Sequence, residues 1–253
     1  MNNTPSTITA QIEDFAQNIY LNQALVQNNR VEDLMDICAL EQLLQLANLQ
    51  GHTQPILEMG YGTGLNLREL VERHGLHIDM VEGSEALCAQ ARALYGERIG
   101  VFCSFFEHFT SKKKYDHILA MHVLEHVDSP VQVLQQMRHA LSPHGRIIAL
   151  VPNALSLHRR LAVRMGLQEQ LDTLSERDHL VGHQRVFTPN SLAASFTQAG
   201  FVIEQTFGFG IKLLPYSMMA DWSDELIRAC VQISPDLPAE LMGNIGLIAK
   251  LPD

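Results

Sequence analysis

The run ILEMGYGTGLNL, residues 56–67, sets glycines at every second position behind a short apolar stretch and ahead of a helix-like one. Gly60, Gly62 and Gly64 allow a sharp backbone turn with no Cβ on the side where a ligand would lie. A loop of this kind belongs where a buried strand hands over to a helix. A second apolar run, HIDMVEG at 77–83, ends in Glu82, 22 residues beyond Gly60. A carboxylate there can accept both hydroxyls of a ribose. The spacing narrows the ligand further. A dinucleotide fingerprint, G-x-G-x-x-G, has its third glycine where Leu65 stands, and Glu58 adds negative charge where a pyrophosphate would be repelled. A cationic nucleoside without phosphates fits better than NAD, so an NAD-dependent oxidoreductase is the weaker alternative.

Strand-like runs recur along the chain with helical patterns between them: 55–60, 77–83, 99–105, 115–123, 145–152, 201–210 and 245–251. This alternation predicts β-α-β units on a mainly parallel sheet, an α/β fold. SPVQVLQQMRHALSPHG predicts a helix capped by Asp128 or Ser129, with Pro130 in its first turn and a stripe of Leu134, Met137 and Leu141; Gly145 closes the turn beyond it. TPNSLAASFTQAGF predicts a second, from Thr188 and Pro189 to Gly200. The reading is one domain, 1–253. Its N-terminal helical cap (1–50) carries stripes such as Leu34, Ile37, Leu40 and Leu44. A cofactor-binding core covers 51–152, and insertions at 153–187 and 208–244 build the substrate side.

Composition excludes other classes. The net charge of −10 over 253 residues opposes a nucleic-acid partner, which needs clustered Lys and Arg. No window approaches the roughly 18 unbroken apolar residues of a membrane span, and the first residues lack the basic and apolar regions of a secretion signal. A cytoplasmic enzyme is expected. Four scattered cysteines suggest neither a disulfide framework nor a thiolate zinc site. Oligomeric state is not legible.

With its motifs in this order, the chain resembles the class I S-adenosylmethionine-dependent methyltransferases, in the small-molecule branch that includes the ubiquinone-pathway O-methyltransferases. Motif I stands as Glu58 to Gly64, the ribose acid as Glu82, the adenine-side segment as VFCSFFEHF, and the region from the fourth to the fifth strand as YDHILAMHVLEHVDSPVQVLQQMRHALSPHGRIIALVPN. The similarity spans about residues 50–210. It implies a Rossmann-like seven-stranded sheet with an antiparallel last strand, and S-adenosylmethionine held by Glu58, Gly60, Gly62, Gly64, Glu82, Gly83, Ser104, Phe105 and His122. Ser104 and Phe105 stand where an adenine-binding Asp is common, and His144 replaces the first glycine of the usual P-G-G. The implied reaction is methyl transfer to an O or N of a small hydrophobic or heteroaromatic metabolite of biosynthesis.

His122 to His126 also spells H-x-x-E-H, a zinc-peptidase pattern that requires a helix carrying both imidazoles. Here an apolar run ends at His122 and Pro130 opens a new helix, which leaves only a turn, and no metal is assigned. The resemblance puts His122 beside the methionine part of the cofactor, a candidate to touch cofactor or substrate and to act in catalysis. Within GHQRVF, bordering the acceptor pocket, it makes His183 the preferred base. Arg159 or Arg160 would hold an acidic group of the substrate. Tyr216 and Trp222, with Met218 and Met219, would face a flat ring. Tyr20 and Arg30 would close over the cofactor's carboxylate. A protein that binds S-adenosylmethionine as a signal, without transfer, is the alternative from another class.

Overall fold

The computed structural model describes residues 5–22 and 29–252. Seven strands form one sheet: β1 Ile56–Met59, β2 Ile78–Glu82, β3 Gly100–Cys103, β4 Tyr115–Met121, β5 Leu141–Pro152, β6 Val202–Phe209 and β7 Asn244–Lys250. Their order is β3-β2-β1-β4-β5-β7-β6. β7 slots antiparallel between β5 and β6, and the β1–β2, β1–β4, β2–β3 and β4–β5 pairs are parallel. This is the expected Rossmann-like methyltransferase sheet. The strand order reverses between β1 and β4, and at such a switch point the strand ends part to leave a crevice.

Each sheet face carries its own core. On one side α2 (Arg30–Leu46) presents Leu40, Leu43 and Leu44, and on the other α5 (Pro130–Arg138) and α8 (Pro189–Gln198) present Leu134, Met137, Leu192 and Phe196. Helix α1 (Pro5–Phe15) continues into a π-helical turn, Ala16–Tyr20. Of the expected N-terminal stripe, Leu34, Leu40 and Leu44 are buried and Ile37 is only half-buried. Residues 1–4 and 23–28 of the expected cap lie outside the described residues.

The remaining helices are α3 (Leu65–Arg68), α4 (Glu85–Tyr95), α6 (Leu157–Arg164), α7 (Glu176–Leu180) and α9 (Asp224–Gln232). Ser129 caps α5, and Thr188 with Ser191 forms a capping box on α8. Helix α5 ends earlier than its stripe suggested. Leu141 pairs with Tyr115 as the first residue of β5, and Gly145 lies within that strand, where a Cβ would come 2.7 Å from the Tyr115 carbonyl. Pairing of Leu141 with Tyr115 explains the change, and Pro143 keeps Ser142 before it out of the helical region. Helices α6 and α7 occupy the first insertion. The second starts two residues later than expected, since β6 runs to Phe209.

Candidate active site

A cavity of about 2090 Å³ opens at the switch point, walled by the C-terminal ends of β1 and β4, by α1, and by both insertions. Gly60, Gly62 and Gly64 all have positive φ, and a Cβ at Gly64 would sit 2.6 Å from the Tyr61 hydroxyl. The loop therefore needs glycine for conformation and, at Gly64, for space. Glu82 ties this loop to the next one: its carboxylate accepts from the Tyr61 N–H at 2.9 Å and from the Ser84 N–H at 2.8 Å. Burial raises its pKa, partly offset by those bonds. Each oxygen keeps acceptor capacity for a ribose hydroxyl.

Glu58 lies deeper, 2 % exposed, with Oε2 unpartnered. Burial pushes its pKa well above the usual carboxylate range. Its carboxyl is thus held toward the neutral form until a positive charge comes near, which refines the sequence picture of a standing anion. An orphaned carboxyl oxygen, a glycine turn and a second carboxylate on one wall fit a positively charged nucleoside. Phe105, Phe106, Glu107 and His108 form the flank beyond Gly83, whose absent Cβ leaves room for Phe105. Ser104 does not reach this wall; its hydroxyl donates to the Phe105 carbonyl.

The strand end at β4 is strained. His122 has φ +55°, one of two non-glycine residues with positive φ among those described. Residues 123–128 form turns and α5 starts only at Pro130, so no helix carries the H-x-x-E-H histidines and the peptidase geometry is absent. His122 Nδ1 lies 3.3 Å from Glu125 Oε1, and Glu125 is fully buried. Burial disfavours charge on the imidazole, but the Glu125 hydrogen bond and the nearby Asp36 outweigh it, and the pKa rises to about 9.

His183 faces the same cavity from the first insertion. Its Nδ1 lies 2.8 Å from Asp178 Oδ1. Although burial opposes ionisation of Asp178, hydrogen bonds from His183 and Ser175 and the charge of Arg159 drive its pKa far below normal. An ionised carboxylate only accepts, so Nδ1 carries the proton and Nε2 is the basic nitrogen. That Nε2 sits 4.0 Å from Glu125 Oε1, and the His126 ring meets the His183 ring edge-on at 4.7 Å. Glu125, His126 and His183 place one donor atom each within 4.8 Å of one another, a set able to hold a divalent ion at the turn where metal assistance is a minor alternative under the resemblance.

Several expected contacts take other partners. Arg159 is buried and spent on Asp178 at 2.6 Å and on the Leu171 and Thr173 carbonyls, so it positions Asp178 instead of meeting a substrate acid. Arg160 donates to the Leu155 carbonyl and is absent from the cavity wall. Trp222 is also off the wall, packed against the core, whereas Tyr216 lines the cavity. Arg30 binds Asp224 and the Ala220 and Trp222 carbonyls, so its guanidinium is engaged; Tyr20 lines the cavity beside Phe15. Sequence reasoning missed Asp178, since its charged partner Arg159 lies 19 residues away and His183 five, on separate turns. Lys212 was equally hidden.

Fold and cradle together define a class I, S-adenosylmethionine-dependent methyltransferase. The chain belongs to the methyltransferase-domain family, whose model matches residues 30–206. A ubiquinone biosynthesis O-methyltransferase of Xylella fastidiosa strain 9a5c is 28% identical over 192 residues, covering 72% of this chain and 75% of that protein. Among solved structures, the 1,6-didemethyltoxoflavin-N1-methyltransferase of Burkholderia thailandensis, with bound 1,6-didemethyltoxoflavin and S-adenosylhomocysteine, superposes with TM-score 0.61 at 17% identity, covering 100% of this chain and 92% of that one. The glycopeptide N-methyltransferase MtfA complexed with sinefungin gives 0.55 at 13% identity, covering 85% and 87%.

Proposed function

We propose that this protein transfers a methyl group from S-adenosylmethionine to an O or N of a small, largely apolar acceptor, with His183 as the base. The observation that carries this reading is the chain Arg159–Asp178–His183, whose Nε2 end, 4.0 Å from Glu125, lies at the cavity that also holds Glu58, the glycine turn and Glu82. Glu82 would bind the ribose, Phe105 and Phe106 the base ring, and Glu58 would ionise beside positive charge. When bound, S-adenosylmethionine supplies a methyl already activated on a sulfonium. The protein's share is therefore alignment, exclusion of water and removal of one proton. His183 Nε2 takes that proton from the acceptor, and Asp178 stabilises the imidazolium that results. Leu161, Met165, Leu167, Leu180, Leu213 and Met218 are all more than a third exposed and border the cavity, an apolar rim suited to an apolar acceptor.

Thermal-shift measurements with S-adenosylhomocysteine and with NAD test the cofactor, because a ligand that binds only the native state raises its melting point. Stabilisation by S-adenosylhomocysteine alone is expected; stabilisation by NAD alone would overturn the reading. Release of S-adenosylhomocysteine from S-adenosylmethionine with a panel of phenols and aromatic N-heterocycles separates an enzyme from a non-catalytic binder.

A further inference from the structure

Four lysine and arginine side chains line the cavity among the described residues, and three already have carboxylates: Arg30 with Asp224, Arg159 with Asp178 and Arg177 with Glu32. Lys212 is the exception. Among the described residues no carboxylate lies within ion-pair reach of its ammonium, which instead rests 3.5 Å from the centre of the Tyr216 ring. A ring face satisfies an ammonium only on one side and leaves its other N–H groups to be answered. Its position is fixed by packing. A Cβ on Gly243 would come 3.2 Å from Lys212 Cβ, and the Gly243 N–H donates to the Gly210 carbonyl at 2.6 Å, so the backbone on both sides of the lysine stem is pinned.

A second group converges there. His158, in the first turn of α6, borders the cavity with a buried Nδ1 that has no partner. Burial lowers its pKa to about 3, and the nearby Lys212 is the foremost charge acting the same way, so it stays a neutral donor or acceptor. Burial also lowers Lys212 to about 8, which leaves it mostly charged at neutral pH and costly to keep unpaired. Glu32 and Asp178 also act on the ammonium, but each already holds an arginine, Arg177 and Arg159 respectively; Asp36 is the third acid of this region. Its own burial lifts it to about 7, so it compensates the ammonium only in part.

We infer that Lys212, with His158 and the Tyr216 ring, forms an anion subsite that recognises a carboxylate on the methyl acceptor. The inference rests on the methyltransferase reading and narrows its substrate class to acids. A carboxylate at this point would pair the lone cation, give His158 Nδ1 a partner, and leave the body of the acceptor toward His183 and the apolar rim.

The test uses the full chain. Calorimetry first establishes S-adenosylhomocysteine binding; no binding at this step would break the methyltransferase reading itself. Protein saturated with S-adenosylhomocysteine is then titrated with benzoate and with its neutral isostere benzamide. Benzoate is expected to bind about tenfold or more tightly than benzamide, as a charge-assisted hydrogen bond allows. Lys212→Met should erase the preference and Lys212→Arg should restore most of it. Lys212→Gln serves where the methionine variant does not melt cooperatively. Equal binding of the two probes, no heat from benzoate, or a preference that survives in the neutral variants would overturn the inference. So would loss of S-adenosylhomocysteine affinity in Lys212→Met, which would assign the lysine to the cofactor's own carboxylate.

Discussion

At the scale of single residues, two carboxyl groups and one strained histidine govern the site. Glu82 shapes the glycine loop through the Tyr61 and Ser84 N–H groups and, in the proposed function, takes the ribose hydroxyls, so Glu82→Gln removes charge while keeping shape. Hydrogen bonds to charged groups contribute about 1.5–3 kcal/mol, and a loss of roughly ten- to hundredfold in S-adenosylhomocysteine affinity is expected by calorimetry. His122 makes a different prediction. Its folded pKa, about 9, lies above the unfolded value near 6.5. Its stabilising contribution is therefore complete below pH 6.5 and drains away as pH rises toward 9. His122→Asn keeps a residue tolerant of positive φ but deletes the titration. The gap in melting temperature between wild type and variant should shrink from pH 6.5 to 8; a constant gap would contradict the assignment. Glu58 and the glycines were readable from the letters because one strand-to-helix turn holds them, and Glu82 because it ends the next strand, β2. Arg159 misled because its charge suggested a ligand, whereas burial at 5 % exposure demanded an internal partner.

At the scale of elements, helix α8 shows local rules holding. Thr188 and Ser191 close a reciprocal cap, Pro189 sits in the first turn, and Leu192 and Phe196 are buried beneath. Thr188→Ala should cost about 1 kcal/mol in denaturant unfolding while S-adenosylhomocysteine binding stays as in wild type, since this helix lies away from the cavity wall. Capping and hydrophobic runs were legible because they depend on neighbours in sequence. The end of α5 was not: Leu141 continues its apolar stripe, yet strand pairing with Tyr115 claims it. Tertiary pairing overrides periodicity where one residue suits both. Helix α7 illustrates the coupling of element and chemistry, for its capping box at Ser175 uses the same Asp178 that orients His183. Ser175→Ala is expected to lower methyl-transfer rate more than cofactor affinity, read as a fall in kcat with S-adenosylhomocysteine binding retained.

At the scale of the whole molecule, the seven strands and the antiparallel β7 followed from the alternation of runs together with the family resemblance; the alternation alone specifies neither direction nor strand order. Insertion of β7 between β5 and β6 demands close backbone contact. A Cβ on Gly246 would lie 2.4 Å from the Ala149 carbonyl and from the Phe207 ring. Gly246→Ala should destabilise the fold by about 1–3 kcal/mol, as other overpacked sites do, with a lower denaturant midpoint. How the two insertions fold over the strand ends was beyond sequence reading, because their contacts, such as Asn153 Nδ2 with the Glu240 and Met242 carbonyls, join residues 87 and 89 positions apart.

That cavity has a kinetic corollary. Glu58 and Glu82 sit at its floor, 2 % and 9 % exposed, while Met165 and Leu167 at its lip are 66 % and 74 % exposed. An occupant of the lip covers the floor, so whatever occupies the floor is expected to enter before, and depart after, whatever occupies the lip. Turnover should thus follow a compulsory queue, nucleoside first and spent thioether last, with S-adenosylhomocysteine competing against the methyl donor and not against the acceptor.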